Sequence, residues 1–491
     1  MRIPKEVKNV INELENHGFQ AYIVGGCVRD VLLGKEPKDW DVTTSAKPED
    51  VRNVFPDSFY ENKFGTVSVK TGSKEKKMSQ IEVTTYRIEG KYTDKRHPDE
   101  IKFADTLEED LGRRDFTVNA MAVELKKSNA RAAIKANVID LFGGQDDLDK
   151  KIIRAVGEPS DRFQEDALRM MRAIRLGTEL EFQIEDKTLQ AIRDNVANIK
   201  YVANERIWDE FVKLINCRNA YDGIILLRDS GLLHILFPEL AEGIGVGQNK
   251  HHIYTIFEHN ALSLKWAAEH DYPLRVRLAA LFHDVGKART KRGDGPDSTF
   301  YGHEITGARI VKQILTRFKC SVLLETEISM LVKYHMFYYN VGEVTERSVR
   351  RLVAKVGPEN IEDLVKLRIC DRMGSGVPKP EPYKQRHFQY MVEKVQRDPL
   401  SPKMLKVDGN DIMGKLGIAP GPEVGQILAI LLDEVLDDPK KNTKKYLQAR
   451  LKELGAMNEE GLDNLSKAAR EKNEQYDQAV DEGIKGKYWV K

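Results

Sequence analysis

Asp39 and Asp41 stand two residues apart inside a segment that reads as a strand, Asp39–Thr43. On a strand that spacing puts both side chains on one face. Parallel carboxylates repel each other unless a cation lies between them, and Mg²⁺ shared between carboxylates and substrate phosphates is the usual resolution. A solvated Asp-x-Asp at a strand end has the same sequence. Upstream, Gly25-Gly26-Cys27-Val28-Arg29-Asp30 follows an apolar run and opens a helical pattern. Paired glycines let backbone N–H groups approach a phosphate closely, and they equally serve a plain tight turn. Glu82, within the predicted strand Ile81–Tyr86, is either a third carboxylate for the pair or an outward-facing strand residue.

Three further groups carry chemistry. Arg113-Arg114-Asp115-Phe116-Thr117-Val118-Asn119-Ala120 concentrates guanidinium, carboxylate and amide groups before an apolar strand. An Arg fork suits phosphate oxygens and a carboxylate suits a ribose hydroxyl, while a charged loop capped by Asp115 is the plain alternative. Glu165-Asp166-Ala167-Leu168-Arg169 lies in a helical pattern, Asp161–Leu176, where residues three and four apart are neighbours. As a surface ion pair it would contribute under about 1 kcal/mol. Seven of the eleven histidines fall between residues 251 and 335, and His259, His283-Asp284, His303, His335 and the later Asp371 form a spaced set. Imidazole with carboxylate is a donor set for a divalent transition metal.

Taken together, GGCVRDVLLGKEPKDWDVTT resembles the signature of the polymerase β-like nucleotidyltransferases, in their tRNA nucleotidyltransferase and bacterial poly(A) polymerase branch. RRDFTVNA is similar to a second motif of that family, and RFQEDALRMMRAIRL resembles the nucleotide-selecting motif of bacterial class II CCA-adding enzymes. The resemblance implies that Asp39 and Asp41 hold Mg²⁺, with Glu82 as third carboxylate. It implies that Gly25, Gly26, Arg29, Asp30, Arg113, Arg114, Asp115 and Asn119 bind the nucleotide. It implies that Asp166 and Arg169, with Glu165, read the base edge of CTP or ATP without a nucleic-acid template. The polar stretch Arg87–Ala104 resembles the flexible loop of enzymes that complete the CCA end, and Asn204–Ile207 with Glu210 resembles a supporting motif. The histidine block resembles the HD phosphohydrolase superfamily. That implies His259, His283, Asp284 and Asp371 as ligands of a divalent metal, with His303 and His335 extending the set, and Lys287 as either a phosphate binder or a surface residue.

The elements that must position these groups change character along the chain. Residues 1–145 alternate helical and extended patterns, with a helix near residues 4–17, a strand at Ala21–Val24, a short helix at Val28–Leu33 and strands at Thr66–Lys70 and Ala120–Glu124. Beyond residue 145 the pattern is helical, including Asp186–Asn195, Asn204–Asn216 and Tyr221–Ser230, and no fixed-period repeat occurs. The expected fold is α+β: a polymerase β-like mixed α/β head (1–145), a helical neck (146–245), an HD domain (246–376) and a helical tail (377–491). The Pro-rich Val377–Tyr383 is a linker or loop. The basic stretch Lys440–Lys452 faces either RNA backbone or solvent, and the polar chain after residue 455 is a solvated helix or a disordered tail.

Composition excludes several classes. A charged share of 32% and the lack of any apolar run of about 18 residues argue for a soluble protein without a membrane span. The charged N-terminus reads as an amphipathic helix, not a signal peptide. Cys27, Cys217, Cys320 and Cys370 make no C-x-x-C, which points to a reducing cytoplasm. A net charge of +1 leaves RNA binding to local patches. The expected activity is CCA addition to tRNA from CTP and ATP, by a monomer or homodimer, with HD phosphohydrolase activity as an addition. The alternatives are an A-adding enzyme or poly(A) polymerase, an HD phosphohydrolase with a vestigial head, and an RNA chaperone.

Overall fold

The computed structural model describes residues 2–60, 65–89, 101–127, 134–249, 253–376, 380–396 and 405–490. The tip of the Arg87–Ala104 loop, His251 and His252, and the start of the Pro-rich stretch lie outside them. The chain packs as two compact units, Met1–His335 with Lys366–Pro378, and Met336–Val365 with Lys379–Lys491.

The first unit begins with a helix, Lys5–Asn16, whose Val7, Val10, Ile11 and Leu14 recur at helical spacing and are all buried. It packs against a sheet of seven strands. Those strands are β1 (Ala21–Val24), β2 (Asp41–Thr44), β3 (Ser58–Tyr60), β4 (Thr66–Lys70), β5 (Gln80–Thr85), β8 (Met121–Lys127) and β9 (Ile134–Asp140). A separate two-stranded ribbon joins β6 (Arg87–Glu89) to β7 (Ile101–Phe103) at the base of the loop. The order β3-β4-β5-β2-β1-β8-β9 puts β2 between β1 and β5. The β2–β5 pair is parallel and sets Asp41 directly beside Glu82. Strand β2 starts at Asp41, so Asp39 lies in the bend before it and not on the strand as the alternation suggested. Buried Trp40 separates the two acids.

Helices follow. The expected single helix over Asp161–Leu176 is two, Pro159–Glu165 and Leu168–Leu180. Asp166 breaks it with extended backbone (φ −137°, ψ 103°), and its Oδ1 accepts from the Leu168 N–H at 3.0 Å. Asp166 therefore ends one helix and supports the start of the next, a role its short side chain favours over helix interior. An aromatic chain ties the next helices together: Phe237 lies 4.4 Å from Phe211, 5.1 Å from Phe318 and 5.8 Å from Phe282 between ring centres. Such contacts each add roughly 1 kcal/mol beyond area burial. They join helix Asn204–Ile215 to helices Leu274–Phe282 and His303–Arg317.

The second unit is helical. Leu405, Val407, Ile412, Ile427, Leu431, Leu447, Leu451 and Leu454 form its buried core. The polar C-terminal stretch is one helix, Glu459–Tyr488, with Leu462, Ser466, Ala469 and Ile484 buried along it. A mixed α/β head followed by helical domains is the architecture expected from the sequence. No helix among the described residues is long and apolar enough to cross a membrane.

Candidate functional site

A cleft of about 790 Å³ opens at the start of β2. Gly25, Gly26, Arg29, Asp30, Asp39 and Asp41 line it, joined by Arg114, Asp115 and Asn119. The Gly-Gly turn brings them together. Gly25 has φ +85°, and a Cβ there would lie 3.1 Å from Arg114 Nη1 and 3.4 Å from Asp41 Oδ2. A side chain would both strain the backbone and push the acid and the guanidinium apart.

Asp41 is the electrostatic centre. Burial, then Asp39 and Glu82, push its carboxyl up to about 7, against the pull of Arg114. Three carboxylates compete for charge at one point, and a divalent cation there would relieve them. The donor set fits such an ion, although these acids are not among the groups of three whose ligand atoms all lie within 4.8 Å of one another.

Behind the acids runs a hydrogen-bonded chain. Arg29 donates to Asp30 at 2.8 Å and to Asn119 at 2.7 Å, and Asn119 donates to Asp115 at 3.2 Å. Asp115 also accepts from the Phe116 N–H at 2.9 Å and from Arg172 at 2.7 Å. Burial raises the Asp115 carboxyl, but Arg172 and these donors outweigh it and hold it at about 2. Arg172, on helix Leu168–Leu180, belongs to the cleft wall with Arg175, Glu179, Lys213 and Arg218. Glu210 ties that wall together, accepting from Arg175 at 2.5 Å and from Lys213 at 3.0 Å.

Some predicted residues stand elsewhere. Arg113 does not line the cleft; it grips Asp110 at 2.7 Å, and Arg114 shares that carboxylate at 3.2 Å. Asp110 is wholly buried and also accepts from Thr43 at 3.2 Å. Burial raises its carboxyl, and Arg114 with Arg113 outweighs this and holds it below the usual range. Glu165, Asp166 and Arg169 are likewise absent from the cleft lining. Arg206 donates to Asp166 at 2.8 Å, while Arg169 pairs with Glu165 at 2.6 Å and donates to the Arg113 carbonyl at 3.1 Å. Asp110, Arg172 and Arg175 were not singled out from the sequence. The recurrence of Arg at 169, 172 and 175 on an otherwise buried helix was the available signal.

The histidine set forms a second centre. His259, His283, Asp284 and Asp371 converge with ligand atoms within 4.8 Å, and so do Asp284, His303 and His335. His259 Nε2 faces His283 Nε2 at 2.9 Å, and Asp284 lies 3.3 Å from His303 Nε2 and 3.5 Å from His335 Nε2. His283, His303 and His335 each direct Nδ1 at the carbonyl three residues back, at 2.9, 2.7 and 2.6 Å. That fixes each ring with Nε2 turned inward, the usual outer support of a metal-binding imidazole. The Nε2 atoms of His303 and His335 and both Asp284 oxygens are buried without a hydrogen-bond partner, and Asp284 Oδ2 forms an ion pair with Lys287 Nζ at 2.5 Å. Buried donors and acceptors left in this state fit divalent metal ions. Two glycines allow the convergence. A Cβ on Gly374 would lie 2.8 Å from the His259 carbonyl oxygen, and one on Gly286 would lie 2.6 Å from the Gly307 nitrogen.

Comparison with known proteins bears on both centres. The model of the poly A polymerase head domain matches residues 21–154. That of the probable RNA and SrmB-binding site of polymerase A matches residues 181–244, and that of the HD domain matches residues 256–373. The CCA-adding enzyme of Lactococcus lactis subsp. lactis is 30% identical over 457 residues, which are 92% of this chain and 99% of that one. The CCA-adding enzyme of Lactobacillus helveticus is 48% identical over 206 residues, which are 42% of this chain and 48% of that one. The crystal structure of the Bacillus stearothermophilus CCA-adding enzyme in complex with CTP superposes with a TM-score of 0.58 at 27% identity, covering 92% of this chain and 98% of that one. At 30% identity over nearly the whole length of the Lactococcus lactis enzyme, and with head and HD models matching in order, the chain belongs to the family of CCA-adding enzymes, as a tRNA nucleotidyltransferase with an HD domain.

Proposed function

We propose that this chain adds CMP and AMP from CTP and ATP to the 3′ end of tRNA, building or repairing the CCA terminus and releasing pyrophosphate. The observation that carries the reading is Asp41, pushed up to about 7 between Asp39 and Glu82 and faced by Arg114 across the Gly25 turn. Asp39, Asp41 and Glu82 would hold Mg²⁺. When bound, the metal lowers the pKa of the primer 3′-hydroxyl and neutralises triphosphate charge. Arg114, Arg29 and the wall arginines Arg172 and Arg175 orient the triphosphate, with Gly25, Gly26 and Asp30 shaping the turn beside it. Asp115 and Asn119 receive the ribose, and Arg113 keeps Asp110 charged behind Arg114. Base selection belongs to Asp166 and Arg169. Arg206 and Glu165 are their resting partners, which a cytosine or adenine edge replaces. UTP and GTP would leave these groups unpaired, at a cost of a few kcal/mol.

The head covers 1–145, the neck 146–245, the HD domain 246–376 and the tail 377–491, and the tail adds tRNA backbone contacts through Lys440–Lys452. His259, His283, Asp284 and Asp371, extended by His303 and His335, would hold the HD metal for phosphoester hydrolysis. Four free cysteines suit a reducing cytoplasm. The test is to incubate tRNA lacking its 3′ end with Mg²⁺ and CTP, ATP or both, and to sequence the product ends. CTP alone should give CC and the mixture CCA. Adenylate addition without any cytidylate would make the chain an A-adding enzyme or poly(A) polymerase, and no extension would overturn the reading.

A further inference from the structure

The four residues of the connection Asn216-Cys217-Arg218-Asn219 all line the same cleft. This connection follows helix Asn204–Ile215 and precedes helix Ala220–Asp229. It begins where the last carbonyls of a helix lose their intrahelical partners. One of those acceptors, and the carbonyl two residues beyond it, are claimed from outside the neck. Arg277, on helix Leu274–Phe282, donates through Nη1 to the Ile215 carbonyl at 3.1 Å and to the Cys217 carbonyl at 3.2 Å. Its Nε donates to the Tyr272 carbonyl at 2.8 Å, and only 5% of the residue is exposed. The guanidinium is therefore spent chiefly on main-chain carbonyls; its Nη2 makes a longer bond, 3.5 Å, to the Asp271 carboxylate, which is 91% exposed. A cation at a helix C-terminus is favourable, and a planar group that reaches the Tyr272 carbonyl through Nε and the other two through Nη1 is something a lysine cannot reproduce. The same helix runs directly into His283 and Asp284.

We infer that Arg277, a residue of the HD-matching segment, is a positioning residue for nucleotide transfer: it fixes the 216–219 wall, and with it Arg218, against the incoming nucleoside triphosphate. This rests on the cleft being the nucleotide site. The consequence is that the HD segment contributes to the transferase reaction structurally, whatever reaction its own metal centre performs. Neither proposed metal centre is touched by the guanidinium, so loss of Arg277 loosens the wall and leaves the acids of the cleft in place.

The experiment measures steady-state nucleotide incorporation on truncated tRNA by the full chain and by Arg277→Met, Arg277→Lys, Arg317→Met and Arg114→Ala. Arg317 also bridges the neck to a helix of the HD segment, donating to Glu239 at 2.7 Å and to the Leu236 carbonyl at 3.0 Å, but holds no cleft residue. It therefore controls for destabilisation alone. Expected is a rise in KM for CTP of about tenfold in Arg277→Met with kcat within about twofold of the parent. Arg277→Lys should fall between them, and Arg317→Met should lower the melting temperature without moving KM. An unchanged KM in both Arg277 variants, or an equal rise in Arg317→Met, would overturn the inference while Arg114→Ala still raises KM. If Arg114→Ala leaves KM unchanged as well, the cleft is not the nucleotide site and both readings fall. If Arg277→Met does not fold, the same comparison is made on Arg277→Lys, whose KM must still exceed that of Arg317→Met.

Discussion

Replacing Asp41 by Asn should abolish incorporation and yet make the metal-free protein more stable. The reason is the cost of holding a carboxylate where burial, Asp39 and Glu82 all oppose its charge. A carboxyl raised from 3.8 to about 7 disfavours the native state at high pH. At about 1.36 kcal/mol per pH unit the ceiling is ~4 kcal/mol, and water and salt entering the cleft reduce this to roughly 2 kcal/mol. The sign follows from the direction of the shift. Because the native value is raised, stability is fully retained below the unfolded value near 4 and lost as pH rises through about 7. Asp41→Asn removes that loss. Urea denaturation in EDTA at pH 4 and pH 8, followed by a probe in the head, measures it. The variant should exceed the parent by roughly 2 kcal/mol at pH 8 and match it at pH 4. Adding Mg²⁺ should restore stability to the parent alone. A parent equally stable or more stable at pH 8, or a gap independent of pH, would refute the reasoning.

Other perturbations give separate outcomes. Asp115 is held at about 2, so its contribution has the opposite sign, present above about pH 4 and lost as pH falls towards 2. Arg172→Met should therefore cost about 2 kcal/mol at pH 7 and roughly half that at pH 3, read from denaturation midpoints; a constant cost would mean that Arg172 acts only by packing. His283→Ala should remove bound transition metal, measured by elemental analysis of protein loaded with Mn²⁺, while CCA addition persists; equal metal content in parent and variant would contradict the assignment of the histidine centre. Gly374→Ala places a Cβ 2.8 Å from the His259 carbonyl oxygen, so it should displace Asp371, lower metal content and cost about 1–3 kcal/mol of stability, whereas a variant with unchanged metal affinity would show that the helix contact is not what positions Asp371.

What could be read from the sequence was what local spacing encodes. The Gly25-Gly26 turn and Asp39 and Asp41 sit within one strand–turn–helix–strand unit, so their proximity is built into a short segment. The pairing of Asp41 with Glu82 was not legible in that way, because it depends on the register of two parallel strands 41 residues apart in sequence. Asp110 resembled any acid on a short helix, and its complete burial beneath Arg113 and Arg114 is a tertiary fact. The joint at Asp166 was hidden because Ala167 and Leu168 favour helix, and a side-chain cap with the Arg206 pair overrides that preference. The histidine centre was legible as a set of donors. Its shape was not, since it depends on close backbone approaches at Gly286 and Gly374. The long polar C-terminal stretch is ambiguous in sequence because the buried residues among those described, including Leu462, Ala469 and Ile484, are few and widely spaced along helix Glu459–Tyr488.

That Asp39 and Asp41 grip the ion serving nucleotide transfer is tested most directly by anomalous diffraction from crystals grown with Mn²⁺ and a non-hydrolysable CTP analogue. The predicted result is an anomalous peak within coordination distance of both carboxylates and of the analogue's phosphates, absent in Asp41→Asn. A peak and triphosphate lodged elsewhere, with those two side chains pointing away, would contradict it.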